Sequence, residues 1–220
     1  MLKYPCLVLD HDDTVVQSEA TVNFPYFCEI LHKLRPGTSI TLNTYMEGCY
    51  NLGFPEMCRK LYSFSEQELE LEHIGWKAYV SKHIPLAYPG IERIILQQKS
   101  LGGLICVVSN SGRKNIIRDY QHYFQTLPDE IFSWESPPLH RKPNPYPLFY
   151  IMEKYKLTPD QLLVIDDMKS AFYMCQAAHV ALGFSAWSRK DFPMISSEME
   201  KLCDYSFPTV SSLEHFLFEN

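Results

Sequence analysis

Asp10 and Asp12 stand two residues apart, just past the apolar run Cys6-Leu7-Val8-Leu9. That spacing keeps both side chains on one face of an extended chain, so one carboxylate can attack an electrophile while the other handles a proton. A second acidic pair, Asp166-Asp167, closes the run Leu162-Leu163-Val164-Ile165. Four carboxylates brought into one pocket repel each other and require a cation, and an all-oxygen donor set suits Mg²⁺. Lys142 lies in Arg141-Lys142-Pro143-Asn144-Pro145, where the prolines fix a rigid turn ahead of a helix. An ammonium held there balances the carboxylates and binds an anionic group as a point charge. Ser109-Asn110-Ser111 follows the run Leu104 to Val108 and precedes a helix starting near Arg113. A hydroxyl beside helix N-terminal amides makes an anion site, and phosphate is its common guest. Taken singly, the Ser-Asn-Ser reads as an ordinary N-cap, the lysine as surface and an acidic pair as a loop. Taken together they suit phosphoryl transfer, with an aspartyl phosphate splitting one difficult step into two.

These residues converge only if the runs that carry them are parallel neighbours, because ligands in open α/β sheets bind beyond the carboxyl ends of the strands. Four consecutive apolar residues, as in Cys6 to Leu9, predict a strand buried on both faces. Leu104 to Val108 and Leu162 to Ile165 read the same way, with weaker candidates at Val180 to Phe184, Ile131 to Trp134 and Tyr205 to Phe207. Helices are expected over 90–98, 113–123, 146–155, 169–178 and 211–218, the last with Ser211 or Ser212 as N-cap. Strands alternating with helices argue an α/β fold with a parallel sheet and right-handed crossovers. From about Glu19 to His83 the alternation stops, and helices are expected over 29–34, 42–50, 55–62 and 66–83, punctuated by Pro36-Gly37, Gly53 and Ser63 to Ser65. The chain thus divides into an α/β core, residues 1–16 and 86–220, and an all-helical insert, residues 17–85.

The 220 residues suffice for one large domain, or a core plus an insert. With 46% apolar and 21% charged residues the composition is that of a soluble globular protein. The formal net charge of −6 lacks the basic footprint of a nucleic-acid binder. No apolar stretch approaches the length of a membrane span, and no signal-peptide core is present. The seven cysteines are odd in number, scattered and without a CxxC pair, which argues against a disulfide framework or zinc site and for a reduced, cytoplasmic protein.

In this order, the motifs resemble those of the haloacid dehalogenase-like superfamily. Its first motif, Asp-x-Asp-x-Thr, is matched by Asp10 to Thr14, its second by Ser109, its third, Lys-Pro-x-Pro, by Lys142 to Pro145, and its fourth by Asp166-Asp167. The insert after the first motif resembles the C1 cap of the β-phosphoglucomutase-like and phosphoglycolate phosphatase-like members. The resemblance implies a Rossmann-like parallel sheet core with an inserted all-helical cap. It implies Asp10 as nucleophile and Asp12 as general acid/base, with its backbone carbonyl on Mg²⁺. It further implies Asp166 and Asp167 on the metal, Ser109 and Asn110 on the transferring phosphoryl group, and Lys142 to neutralise that group. Asp12 favours phosphatase or phosphomutase chemistry, because the dehalogenase branch lacks it. Asp13, Met168 and Ala171 depart from the family pattern, standing where a glycine, a Ser/Thr and a glycine are usual. Asp13 adds a negative charge near the site or caps the next turn, and His11 reads as a neighbour of the site.

The expected activity is a Mg²⁺-dependent phosphatase for a small phosphorylated metabolite, with a sugar phosphomutase as the alternative. Water attacks the aspartyl phosphate in the first case and a substrate hydroxyl in the second. A phospho-accepting receiver domain is shorter and carries its acidic pair before the phosphorylated aspartate. A silent binding protein on this fold is expected to have lost Asp10 or Asp12. Asn23, Tyr26, Arg59, Lys60 and Trp76 are the insert's candidates for substrate choice, though most such side chains build a domain core or a solvent face.

Overall fold

The structure, a computed structural model, describes residues 2–219. Strand β1 (Cys6–Leu9) is followed by four helices, α1 (Phe24–Leu34), α2 (Leu42–Leu52), α3 (Phe54–Tyr62) and α4 (Glu66–Val80). Then come α5 (Ile91–Ser100), β2 (Leu104–Val108), α6 (Arg113–Phe124), β3 (Glu130–Phe132), α7 (Tyr146–Tyr155), β4 (Leu162–Asp166) and α8 (Lys169–Ala178). The chain closes with β5 (Ala181–Phe184), α9 (Pro193–Leu202), β6 (Tyr205–Ser206) and α10 (Val210–Phe218). It divides into two compact units, one running to Gln17 and resuming at Ala87, the other Ser18–Leu86. No helix among the described residues is long and apolar enough to cross a membrane.

In the first unit the six strands form one parallel sheet in the order β3-β2-β1-β4-β5-β6. The three long apolar runs are its adjacent central strands, and they lack the alternation of half-exposed strands because helices cover both faces. Period two still sorts the side chains. Leu7, Leu9, Ile105, Val107, Leu163 and Ile165 pack with α5, α6 and α10 on one face. Cys6, Val8, Cys106, Val108, Leu162 and Val164 pack with α7 and α8 on the other. The chain leaves β1 toward β2 and leaves β4 toward β5, so the connections part at the carboxyl ends of β1 and β4 and open a crevice there.

Several boundaries differ from the sequence expectation. Val180 lies outside β5, and β3 ends at Phe132, two residues short of Trp134. The N-cap of α10 is Thr209, not Ser211 or Ser212: its hydroxyl accepts from the Ser212 amide at 3.0 Å while the Ser212 hydroxyl accepts from the Thr209 amide at 3.2 Å. Helix α9 has no counterpart among the helices expected from the sequence. It opens on Pro193 and buries Ile195 and Met199, four residues apart, which is too thin an apolar stripe to stand out in a sequence.

The helical unit has its own core of aromatic rings. Phe27 of α1 lies 5.3 Å from Tyr45, 5.6 Å from Phe54 and 5.7 Å from Tyr62 between ring centroids, drawing α1, α2 and α3 together. Ser65 and Glu68 form a reciprocal capping box at the start of α4. Arg35, just past α1, donates to both Glu68 oxygens at 2.7 and 2.9 Å and to the Tyr62 and Ser63 carbonyls, fastening one helix end to the next start.

Candidate active site

Three adjacent strand ends deliver the predicted residues to one edge. The Asp10 amide donates to the Ile165 carbonyl at 2.9 Å, carrying the ladder one residue past β1. The chain then turns sharply, with the His11 carbonyl accepting from the Val15 and Val16 amides. Asp13 occupies the left-handed region, φ +56°, within this turn. That conformation suits glycine, and aspartate is among the few side chains that tolerate it. Thr14 is buried and its hydroxyl meets that of Ser185, past β5, at 3.0 Å.

Asp10, Asp166 and Asp167 are buried, and each offers an oxygen within 4.8 Å of the others. Lys142 reaches into them from the proline-bound turn before α7. Its ammonium donates to Asp10 Oδ1 at 2.7 Å and to Asp166 Oδ2. Burial alone would depress the Lys142 pKa, but the pull of Asp10 and Asp166 reverses this and raises it. Burial pushes Asp166 up to about 6, against the attraction of Lys142. Burial also raises the Asp167 pKa above its ordinary value, with Arg189 opposing and Asp166, Asp10 and Asp13 adding to it.

The two acids of the pair differ in what their oxygens touch. Asp166 Oδ1 accepts from the Met168 amide at 2.9 Å, and its Oδ2 takes Lys142. Asp167 Oδ2 takes Arg189, while its Oδ1 is buried with no hydrogen-bond partner among the described residues. A buried, unpartnered carboxylate oxygen is costly unless a cation meets it. Asp10, Asp13, Asp166 and Asp167 face two fixed cations, Lys142 and Arg189, which leaves a formal surplus of two negative charges. One divalent cation would balance that, so the donor set fits Mg²⁺ in charge and in oxygen chemistry.

Asp12 is half-buried on the turn, outside this carboxylate trio. Ser109 is buried, and its Oγ accepts from the Ser111 amide at 3.2 Å, which leaves the hydroxyl proton to be donated elsewhere. Asn110 is exposed. One feature of the expected anion site is otherwise occupied. The first amide of α6, that of Arg113, donates to Glu135 Oε2 at 2.9 Å, a carboxylate supplied by the loop after β3. Glu135 thus answers the Arg113 amide in the place where an anion was expected.

The insert residues singled out for substrate choice have internal partners. Trp76 Nε1 donates to Asn23 Oδ1 at 2.9 Å, and the buried Tyr26 hydroxyl donates to the Glu72 carbonyl at 3.0 Å. Arg59 pairs with Glu66 and Glu56, and Lys60 with Glu56. The residue that sequence reasoning missed is Arg189. It is buried just past β5 and bridges Asp13 and Asp167. Only its position beyond a strand end, at the edge shared with the acids, could have pointed to it.

The chain also resembles known proteins. The family description "haloacid dehalogenase-like hydrolase" matches residues 7–183. A phosphoglycolate phosphatase of Pasteurella multocida is 27% identical over 124 residues, 56% of this chain and 55% of that protein. The chain thus spans about half the length of that relative. Among solved structures, a predicted phosphoglycolate phosphatase of Haemophilus somnus superposes with a TM-score of 0.76 at 18% identity, covering 98% of this chain and 99% of the other. CbbY of Rhodobacter sphaeroides, in complex with xylulose-(1,5)bisphosphate, superposes with a TM-score of 0.70 at 14% identity, covering 96% of each chain.

Proposed function

Because the chain belongs to the haloacid dehalogenase-like hydrolase family, we propose that it is a Mg²⁺-dependent phosphatase that hydrolyses a small phosphorylated metabolite. The observation that carries this reading is the buried trio of Asp10, Asp166 and Asp167 closed by Lys142, with Asp167 Oδ1 unpartnered. Asp167 Oδ1, the Asp10 carboxylate and Asp166 would hold the metal, together with the backbone carbonyl of Asp12. Bound there, Mg²⁺ would neutralise the acids and draw charge from the phosphoryl oxygens.

Asp10 attacks phosphorus and forms the aspartyl phosphate as the bond to the leaving oxygen breaks. Asp12 gives its proton to that oxygen, so the product departs as an alcohol. Asp12 then takes a proton from water as the water oxygen attacks phosphorus. Inorganic phosphate leaves, and Asp10 and Asp12 return to their starting states. Lys142 offsets the charge gathered on the phosphoryl group, Ser109 donates its hydroxyl proton to it and Asn110 contacts it at the open side. The helical insert would correspond to the cap domain of the family. Phosphoglycolate, the substrate named for the Pasteurella relative, is the first metabolite to screen. The setting we infer is the cytoplasm, which agrees with cysteines that are all free.

Hydrolysis of p-nitrophenyl phosphate, with and without Mg²⁺, tests the reading. Turnover should require the metal and should vanish in Asp10→Asn with the fold intact. Turnover by Asp10→Asn comparable to the wild type would rule out the aspartyl-phosphate route.

A further inference from the structure

Arg189 is among the largest fully buried side chains of the molecule, at 2% exposure, and it belongs to no motif of the active site. Burying a guanidinium is costly unless every charge on it is answered. Here two carboxylates answer it. One terminal nitrogen donates to Asp13 Oδ2 at 2.5 Å and the other to Asp167 Oδ2. The backbone around it is held as well. Its amide donates to the Ala186 carbonyl at 3.0 Å, and its own carbonyl accepts from the Phe192 amide and the Ser196 hydroxyl. The bridge joins residues 176 positions apart in one case and 22 in the other, so it ties the turn after β1 to the edge beyond β4 and β5. The same contact divides the work of the Asp167 carboxylate. Oδ2 is committed to the guanidinium, and Oδ1 is left buried without a partner.

We propose that Arg189 is a built-in counter-cation of the metal cradle, acting on its Mg²⁺ affinity through charge. Its charge sits on one oxygen of Asp167 and, together with Asp13, sets how tightly the cradle takes Mg²⁺. This inference rests on the metal-dependent reading of the site given above. Its physical content is a sign. A fixed positive charge on the ligand carboxylate opposes a divalent cation on that same carboxylate, while Asp13 draws that charge away. Neutralising Arg189 therefore tightens Mg²⁺ binding, and neutralising Asp13 weakens it. A residue that only braced the loop would produce weakening, or no change, in both cases.

Calorimetric titration of Mg²⁺ into the 220-residue chain reads this without any turnover. Arg189→Met should bind Mg²⁺ about five-fold or more tighter than wild type, and Asp13→Asn about five-fold or more weaker. Asparagine keeps the shape of Asp13 and tolerates its positive φ. The double variant should lie between the two. Weakened or unchanged affinity in Arg189→Met overturns the proposal. If that variant does not fold, Arg189→Gln, which removes the charge but keeps amide donors toward Asp13 and Asp167, is titrated in its place, with tighter binding in support and weaker or unchanged binding against. A wild-type chain that binds no Mg²⁺ removes the metal reading and this inference with it. That result is distinct from a wild type that binds Mg²⁺ while its variants do not differ.

Discussion

The Lys142 ammonium nitrogen lies 2.7 Å from Oδ1 of Asp10, although the two residues are 132 positions apart in the chain. The same nitrogen also donates to Asp166, so one cation joins the end of β1 to the end of β4. Both carboxylates and the lysine are almost wholly buried, and little solvent screens them. The lysine therefore has a structural duty in addition to its proposed role on the phosphoryl group.

Lys142→Met tests both duties. Removing one partner of a buried charge cluster leaves uncompensated charge and typically costs about 3–5 kcal/mol. The variant should unfold at lower temperature and lose p-nitrophenyl phosphate turnover. Lys142→Arg should not restore turnover, because a planar fork does not replace a point charge held between two acids. Circular dichroism melts and initial rates separate the two effects, and a fully active Lys142→Met would refute the assignment.

Close packing inside the helical unit gives a second expectation. A Cβ added at Gly75 would fall on the Tyr26 hydroxyl, whose proton goes to the Glu72 carbonyl at 3.0 Å. Gly75→Ala should destabilise the protein by about 1–3 kcal/mol through overpacking. Tyr26→Phe alone should cost about 1 kcal/mol for the lost hydrogen bond. In the double variant the offending oxygen is gone, so the two losses should sum to less than their parts in a double-mutant cycle measured by urea unfolding. Strict additivity would count against the contact.

Glu72 sets a pH dependence in the same unit. Burial pushes its pKa from 4.5 up to about 7. Between those values the unfolded chain gives up the proton that the folded chain keeps, so stability falls as pH rises from about 4.5 to 7 and levels off above. The full effect is about 3 kcal/mol at one unit per 1.4 kcal/mol. Asp166 and Asp167 are raised as well and slope the same way, so the test is a comparison. Glu72→Gln should show a shallower fall in melting temperature between pH 5 and 8 and be the more stable protein at pH 8. Parallel curves would mean that Glu72 does not titrate in this window.

What could be read from the sequence follows from where the physics is local. β1, β2 and β4 are covered on both faces, so each appears as an unbroken apolar run, and the residue that ends it is marked at once. Asp10, Ser109, Asp166 and Asp167 were legible for that reason. Arg189 was not, since nothing near it in sequence announces that its charge is answered by Asp13 and Asp167. Asp13 was legible as a departure but not in its consequence, because a positive φ is a property of the turn and not of the residue type. Glu135 was invisible likewise, as its contact with the α6 amide depends on β3 lying beside β2. The insert's polar side chains suggested substrate contacts, and the structure shows partners inside their own unit for Asn23, Tyr26 and Trp76.

Ser109 offers the sharpest test of how the phosphoryl group is held. Its oxygen accepts the Ser111 amide at 3.2 Å, so the hydroxyl proton is directed to another acceptor. Ser109→Ala removes that donor and also strips the Ser111 amide of its partner. Loss of one donor to a developing oxyanion lowers turnover by about 10²-fold or more. The stranded amide adds a stability cost of about 1–3 kcal/mol. Ser109→Thr keeps both the acceptor and the proton, and should retain turnover far better than alanine if the extra methyl is accommodated at this buried position. Rates with p-nitrophenyl phosphate and melting temperatures for the two variants distinguish the cases. Should Ser109→Ala lose stability but keep its rate, the hydroxyl would be a turn-holding group only, and phosphoryl recognition would have to rest on Lys142 and Asn110.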